Sequence, residues 1–462
     1  MKKMKIRLLA LAAALALLLA GCAPRGGETP SAPPSSPEEP PALSGPGAEE
    51  EPAEPVYYDA DFYARPAWNA AGTGTAIKNG AALTWVGLDN EVLRAAAFGD
   101  PAAGPGLSPE DITLTIGEGW VLRTVPGTRA ALREGKWTLL NAALYDLDGT
   151  LLRAFPDASP EEVEAATGDY EKQSAYVNAY PLGSGHIALE TGAMLLLYDI
   201  AADALSLVDD YRDVRWQGFT VYDAGAYGIY QCWPFGESLY YMASIDPPPG
   251  EPRRVLYRLD TAGERELFCD DTGFFRYKPV EGGLYGFREW NNGIFTDEGY
   301  EWGIEAWFLP DGGEWRLVAK DNTASGDALP LDASHYDYIW MDKRDGEAWP
   351  SFRRHDLATG EEISFSPRDY DGRKLYDGGY GFGLYCTRAV EGGVQFVYVV
   401  SDVAETADGD LMEKRECWLY DTREDAPRRL DRLDGASIWG INPQGTHAIE
   451  GGGPPWRVVP LE

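Results

Sequence analysis

Apolar and aromatic residues in this chain come in short alternating runs cut by turn residues. One run shows the rule. Leu144-Tyr145-Asp146-Leu147-Asp148-Gly149-Thr150-Leu151-Leu152-Arg153-Ala154-Phe155 reads as a strand, an Asp-Gly turn and a second strand. Period-two alternation suits a strand, and Asp-Gly supplies the positive φ that a two-residue hairpin turn needs. The same grammar returns around Val86, Tyr198, Tyr257, Phe308, His355 and Tyr420. Aligned with Tyr145, these anchors are separated by steps of 59, 53, 59, 51, 47 and 65 residues. A recurring all-β unit of this length predicts the blades of a propeller.

Taken in order, the pattern predicts a first hairpin over Leu83–Phe98, after a weakly patterned segment from Tyr57 to Asn79. Two strands around Gly117-Glu118-Gly119, joined with Trp137–Phe155, make a four-stranded unit. Later units pair Ala175–Leu189 with Met194–Val208, Phe219–Ile245 with Val255–Phe268, and Phe275–Trp290 with Glu305–Ala319. Tyr336–Asp342 with Ser351–Phe365 and Gly381–Ser401 with Glu416–Leu430 follow. Ser159–Thr167 carries a helix-start signature, a serine followed by proline and early acids, and predicts a short inserted helix. Ser437–Glu450 and the run Trp456–Val459 lack an outer hairpin, whereas Leu83–Phe98 is a hairpin without a partner. Pairing the two would close a ring and remove its exposed edges. The expected fold is therefore a single all-β propeller over residues 57–462. It would have seven four-stranded blades of about 58 residues, or six or eight if one hairpin is misassigned.

The N-terminus changes the picture of where this domain sits. A basic start (Lys2, Lys3, Lys5, Arg7) precedes thirteen apolar residues, Leu8 to Ala20. That is a secretory signal, too short to span a bilayer. It ends Leu19-Ala20-Gly21-Cys22, which resembles the lipobox of bacterial lipoproteins. The resemblance covers residues 1–22 and implies a diacylglyceryl group on the Cys22 thiol, with cleavage before it. From Ala23 to Val56 the chain holds ten prolines, seven glutamates and no aromatic residue. Such a segment cannot bury enough apolar surface to fold and predicts a disordered tether. The expected location is extracytoplasmic, anchored to a bacterial membrane.

The formal charge is −34, and four basic residues lie in the leader, so the mature chain stands near −38. Nucleic acid is excluded as a partner, because its binding depends on cations that neutralise phosphates. Four cysteines follow Cys22, at 232, 269, 386 and 417, with no CxxC spacing for zinc. In an exported protein they are open to two readings, disulfides within a blade or reduced thiols packed as small hydrophobes.

Two hairpins carry further resemblances. His355-Asp356-Leu357-Ala358-Thr359-Gly360-Glu361-Glu362-Ile363 resembles the repeat of quinoprotein-type (PQQ-like) propellers, and Ile441-Asn442-Pro443-Gln444-Gly445-Thr446-His447 resembles the turn of TolB-like propellers. They imply the architecture and no cofactor.

Candidate chemistry is sparse. Asp146-Leu147-Asp148-Gly149-Thr150 resembles the nucleophile motif of haloacid-dehalogenase-like phosphatases, but that chemistry needs a parallel α/β sheet, and the sister hairpins replace the acids freely. His186, His335, His355 and His447 are scattered, with no HExxH, and no P-loop or G-x-S-x-G is present. Aromatic residues crowd segments expected to be loops: Asp209–Trp216, Asp270–Tyr277, Trp290–Trp302 and Arg368–Arg373. Trp and Tyr beside Asn, Asp and Arg combine flat apolar faces with fixed polar groups, as sugar or peptide recognition requires. Trp216, Trp290 and Trp302, with Arg215 and Asn291, are the candidate ligand-binding residues. The expected function is a non-catalytic, monomeric binding or scaffold protein for a glycan or protein ligand. The alternative is a glycoside hydrolase or lyase using carboxylates in a central funnel. Neither reading calls for a cofactor or metal.

Overall fold

The computed structural model describes residues 67–461 apart from internal stretches, the longer being 100–110, 160–176, 221–227, 246–252, 322–332, 375–380, 406–410 and 451–455. All described residues belong to one compact unit, Pro55–Glu462. Cys22, the tether and most of the Ser159–Thr167 segment lie outside them.

The described residues contain no α-helix and build antiparallel meanders in chain order. The first is β1 (Ala67–Trp68), β2 (Gly74–Asn79), β3 (Ala82–Gly87) and β4 (Val92–Ala97). The second is β5 (Thr113–Ile116), β6 (Trp120–Arg133), β7 (Lys136–Asp146) and β8 (Leu151–Ala154). The third is β9 (Asn178–Leu182), β10 (His186–Glu190), β11 (Met194–Asp199) and β12 (Ala204–Asp210). A single pairing, Leu205 with Trp137, joins the second and third into one sheet. A small hairpin, β13 (Arg215–Trp216) with β14 (Phe219–Thr220), comes next.

The fourth meander is β15 (Gly228–Phe235), β16 (Ser238–Ile245), β17 (Arg253–Asp260) and β18 (Arg265–Cys269). The fifth is β19 (Arg276–Val280), β20 (Gly283–Thr296), β21 (Gly299–Pro310) and β22 (Arg316–Asp321). In the sixth, β23 (His335–Arg344) pairs with β24 (Glu347–Asp356), whose other edge takes β25 (Glu362–Phe365) and β26 (Arg373–Lys374). The seventh is β27 (Gly381–Val390), β28 (Gly393–Glu405), β29 (Leu411–Asp421) and β30 (Ala426–Arg429). The last has three strands, β31 (Ile438–Ile441), β32 (His447–Glu450) and β33 (Arg457–Pro460).

Each meander packs face to face on the next, and strand alternation explains how. In β11, Leu196 and Tyr198 pack against the second meander, while Leu195 and Leu197 pack against the fourth. A strand covered on both faces reads as a continuous apolar run rather than an alternating one, which is why Met194-Leu195-Leu196-Leu197-Tyr198 is buried throughout. Phe352 of β24 shows how the seams are filled. It is fully buried, stacks on Tyr420 at 4.8 Å and packs at a tilt 5.0 Å from Phe396, both of the seventh meander. First strands neighbour first strands, as with β5 and β9, β9 and β15, and β15 and β19. Last strands such as β4 and β8 are exposed. This succession, with inner first strands and outer edges, is that of a β-propeller.

All seven anchors lie on the strand preceding the outer edge: Val86 on β3, Tyr145 on β7, Tyr198 on β11, Tyr257 on β17, Phe308 on β21, His355 on β24 and Tyr420 on β29. The last meander has no such outer hairpin and therefore carries no anchor. Two expectations meet a different structure. Leu83–Phe98 is not a hairpin without a partner, because β1 and β2 complete its sheet. Among the described residues no strand pair joins the first meander to the last. They meet through side chains, Ile77 and Val86 against Ile449, Trp456 and Val458. Asn90 adds two hydrogen bonds with the backbone of Val458, each 2.8 Å.

The recurrent aspartate at the hairpin turns is structural. Asp146 Oδ1 accepts from the Asp148 and Thr150 amides at 3.0 and 2.8 Å, Asp260 Oδ1 from Glu264, and Asp356 Oδ1 from Ala358 and Thr359. Such side-chain turns supply the acceptor that a tight reversal needs. The Thr150 amide is the main reason the Asp146 carboxyl is held below its ordinary pKa. Gly149 sits at φ +84°, and a Cβ there would lie 2.4 Å from the Ala97 carbonyl oxygen. The Asp-Gly motif thus fits a turn docked on β4. All four later cysteines are free thiols. Cys386 and Cys417 fill the seam between the last two meanders, and burial pushes the Cys386 thiol up to about 12.

Candidate functional site

Strand direction sorts every candidate residue to one end of its sheet. Connections between meanders and turns between second and third strands share that end. Arg215 and Trp216 lie on the connection between β12 and β15, while Trp290, Asn291 and Trp302 occupy the far halves of β20 and β21. Three hairpins are drawn out at this end. β6 and β7 have 14 and 11 residues, β20 and β21 have 14 and 12, and β28 and β29 have 13 and 11. Five and six suffice in β10 and β11.

The segment from Trp290 to Trp302 was expected to be a loop and is a strand pair instead. Asn291 faces Trp302 across the ladder, and Trp290 faces Gly303. Trp290 is half-buried, its Nε1 donates to the Asp321 carbonyl at 2.9 Å, and the Lys320 ammonium lies 5.7 Å from its ring centroid. One ring face and the indole N–H are thereby engaged within the protein. Arg215 pairs with Thr220 and Trp216 with Phe219 in the small hairpin. The side chains of Arg215, Trp216, Asn291 and Trp302 lie outside the described residues. Of the other aromatic segments, Phe274 and Tyr277 are buried in the seam of the fourth and fifth meanders. Those rings are packing, because the chain turns inward there to cover Trp315 and Met242.

Sequence reasoning missed a polar cleft at the same end, between the second and third meanders. It encloses about 370 Å³, within the range of small-molecule sites. Thr113 and Thr115 on β5 share one strand face, and Thr124 on β6 is the ladder partner of Thr113. Asp111, Thr128, Asn178 and Tyr180 are the other polar residues that border it among those described.

One wall is a bulge. Between the pairs Thr124–Ala142 and Arg129–Leu140, four residues, Val125 to Thr128, stand opposite Asn141 alone. Asn141 takes φ +54°, a conformation that asparagine tolerates better than most residues. The bulge is cross-tied: Thr128 Oγ1 accepts from the Val125 amide at 2.9 Å and donates to the Asn141 carbonyl at 2.7 Å, and Asn141 Nδ2 donates to the Gly127 carbonyl at 3.0 Å. Bulges beside sites re-aim side chains. The sequence signal available was Pro126-Gly127 inside a strand pattern.

Behind the cleft, Asn178 Nδ2 donates to Glu190 Oε2 at 2.8 Å, and Glu190 is buried. Burial, and then the neighbouring Cys232 and Glu190, drive the Tyr180 phenol far above its ordinary pKa, so it stays neutral.

No protein-family model matches the chain, and no curated protein matches its sequence. Solved structures of similar shape include Porphyromonas gingivalis dipeptidyl peptidase 4, at 10% identity over 85% of this chain and 64% of that one, TM-score 0.39. The chain thus spans under two thirds of the peptidase's length. The β-propeller domain of the Trilobed protease from Pyrococcus furiosus aligns at 11% identity over 76% and 96% of the two chains, TM-score 0.35. A polysaccharide lyase of family PL25, an ulvanlyase, aligns at 13% identity over 82% and 99%, TM-score 0.33. At such identities and scores these likenesses transfer no activity.

Proposed function

We propose that this chain is an extracytoplasmic lipoprotein, anchored through Cys22, whose acidic propeller binds a glycan or protein ligand on one face without catalysis. The observation that carries this reading is the shared end. The drawn-out hairpins, the aromatic candidates and the polar cleft all fall where strand direction puts the connections between meanders. Binding sites on propellers and barrels concentrate on loops held by a rigid scaffold. In the same reading the ring has eight blades, one per meander, closed by the contact of the first and last rather than by a shared strand. Among the described residues the cleft is bordered by one carboxylate, Asp111, where hydrolysis by paired carboxylates uses two.

Two experiments test the reading. Cys22→Ser should move the protein from the membrane to the soluble fraction; unchanged partition would defeat the anchor. An array of cell-surface glycans, followed by a turnover assay on each hit, should give saturable binding without product. Release of reducing ends would instead establish an enzyme.

A further inference from the structure

Three ladder partners on the fifth meander make a charged row. Arg288 of β20 faces Glu305 of β21, which faces Lys320 of β22. Glu305 is buried and takes both cations at 2.5 Å, Lys320 on Oε1 and Arg288 Nε on Oε2, with the Trp307 indole on Oε2 at 3.1 Å. Burial opposes its charge, but the donors from Lys320, Arg288 and Trp307 outweigh that and hold its pKa below the ordinary value. Two cations thus stand against one carboxylate. The neighbouring acids Glu289 and Asp321 are both ladder partners of Ile304, which packs with the sixth meander, so they belong to the opposite face. We propose that the surplus cation of this row binds the anionic group of an acidic sugar, a uronate carboxylate or a sulfate ester, through Arg288 and Lys320. The proposal rests on the glycan half of the reading above.

The row is both open and fixed in advance. The connection from the fourth meander crosses this face at Phe274, whose ring lies over Gly286, where a Cβ would come within 2.5 Å of it, and 6.2 Å from Trp307. Arg288 and Lys320 lie past that crossing and keep side-chain exposures of 42% and 49%. Arg288 spends Nε on Glu305, and its guanidinium lies 4.7 Å from the Trp307 ring centroid. Among the described residues nothing takes its Nη1–Nη2 edge, a planar fork that matches a carboxylate or sulfate. Lys320 is held against the Trp290 ring at 5.7 Å. Cations positioned before the ligand arrives lower the ordering cost of binding it. A neutral sugar gains nothing from them. A protein partner needs an apolar interface core, and no large apolar side chain of β20 or β21 is exposed among the described residues. The net charge of −34 repels an anion at long range, but physiological salt screens that repulsion beyond about 8 Å, so the charge of the row itself decides.

The test uses the full-length Cys22→Ser chain at physiological ionic strength, titrated calorimetrically with tetragalacturonate, its fully methyl-esterified form, a sulfated neocarratetraose and tetraglutamate. Tetragalacturonate or the sulfated sugar should bind, and the uncharged ester should not. Lys320→Gln and Arg288→Lys should each weaken the anion by roughly tenfold, the first by removing a charge, the second by removing the fork while keeping the charge. Glu305→Gln keeps both cations and removes the carboxylate that competes for them, so it should tighten the anion by roughly fivefold, the effect of one unit charge about 4 Å away in water. Cations that serve only as struts for Glu305 would give no such gain. Lys320→Gln is an exposed change that leaves Arg288 on Glu305, and it keeps the test valid if either other variant fails to fold. Binding of either anionic sugar that Lys320→Gln weakens supports the site and tells carboxylate from sulfate. Equal affinity for tetragalacturonate and its ester, or anion binding that all three variants leave unmoved, overturns the site while the glycan reading stands. Failure of every sugar, with or without capture of tetraglutamate, overturns the proposal together with the glycan half of the reading.

Discussion

Two arcs of this molecule bury polar groups, and they dispose of them in opposite ways. From the fifth to the seventh meander, buried carboxylates are neutralised by the chain itself. Glu305 takes Arg288 and Lys320, each at 2.5 Å, and the Trp307 indole at 3.1 Å. Asp337 takes the Arg354 guanidinium through two bonds of 2.8 Å and the Thr387 hydroxyl at 2.5 Å. Asp421 takes Arg423 and Gln395. Between the second and third meanders, the described polar residues bordering open space are Asp111, Asn178, Tyr180 and four threonines. A polar group answered from within the fold is architecture. An uncharged one that borders a cavity, such as the Thr113 hydroxyl, can meet a ligand. On this contrast, charge abundance in an acidic chain is a poor guide to function, and the seams are where most of the interior charge goes.

The strongest test of the contrast is Asp337→Ala. Removing one partner of a buried pair takes two charged hydrogen bonds from the Arg354 guanidinium, so folding stability should fall by about 3–5 kcal/mol. Urea unfolding measures it directly. Sugar binding by the folded fraction should be unchanged. A loss below about 1 kcal/mol, the range of exposed pairs, would place this carboxylate outside the architectural class.

Trp290→Ala sharpens the contrast at a candidate ligand residue that is tied into the fifth meander. It loses one indole hydrogen bond, one cation–π contact and half-buried apolar area, together about 1–3 kcal/mol. Thermal melts and ligand titration on the same variant separate the roles. A stability loss with intact affinity marks packing, and intact stability with lost affinity returns Trp290 to the binding face.

Acid should destabilise the charged arc. At Asp421 the Arg423 side chain, followed by Gln395, holds the carboxyl far below its ordinary pKa despite partial burial. Burial opposes the charge on Glu305, but Lys320, Arg288 and Trp307 outweigh it and lower its pKa too. A carboxyl depressed in the folded state binds its proton more readily when unfolded, so its contribution is complete above the unfolded value and lost as pH falls through the folded one. Stability should therefore hold above about pH 5 and decline as pH drops below about 4, the unfolded carboxylate range. Glu305→Gln should flatten that decline. Unfolding midpoints from pH 7 to pH 3 for both proteins provide the comparison.

How much of this was legible in the sequence follows from the same physics. The seven hairpins were readable because each couples period-two alternation to an Asp or Gly turn, and all seven anchors fall on equivalent strands. The strands of the last meander were readable, but not as a unit of their own, because they lack an outer hairpin. β1 and β2 were hidden because Gly74-Thr75-Ala76-Ile77-Lys78-Asn79 is made largely of small or polar residues, which pack without a strong apolar signature. Trp290 and Trp302 could be seen as aromatic residues but not as ladder residues of one strand pair, since register depends on partners elsewhere in the chain. The cleft was invisible for a similar reason. Threonines on β5 and β6 read as ordinary strand formers until β9 is set beside them, more than fifty residues further along.

The smallest expected effect concerns the motif that most resembled catalytic machinery. Asp146 and Asp148 stand at the positions a phosphatase would give to its nucleophile and its proton donor. Here Asp146 is occupied as a turn acceptor, while Asp148 is exposed and pairs with Arg94 at 3.5 Å. An exposed pair of that geometry contributes little, because water screens it and two mobile side chains must be ordered to form it. Asp148→Asn keeps the shape and removes the charge. It should leave the melting temperature, the sugar affinity and the absence of phosphate-ester turnover as they are, whereas a phosphatase would lose activity. A fall of several degrees would instead mean that the Arg94 pair clamps the second meander to the first, and Asp148 would then join the charged architecture of the opposite arc.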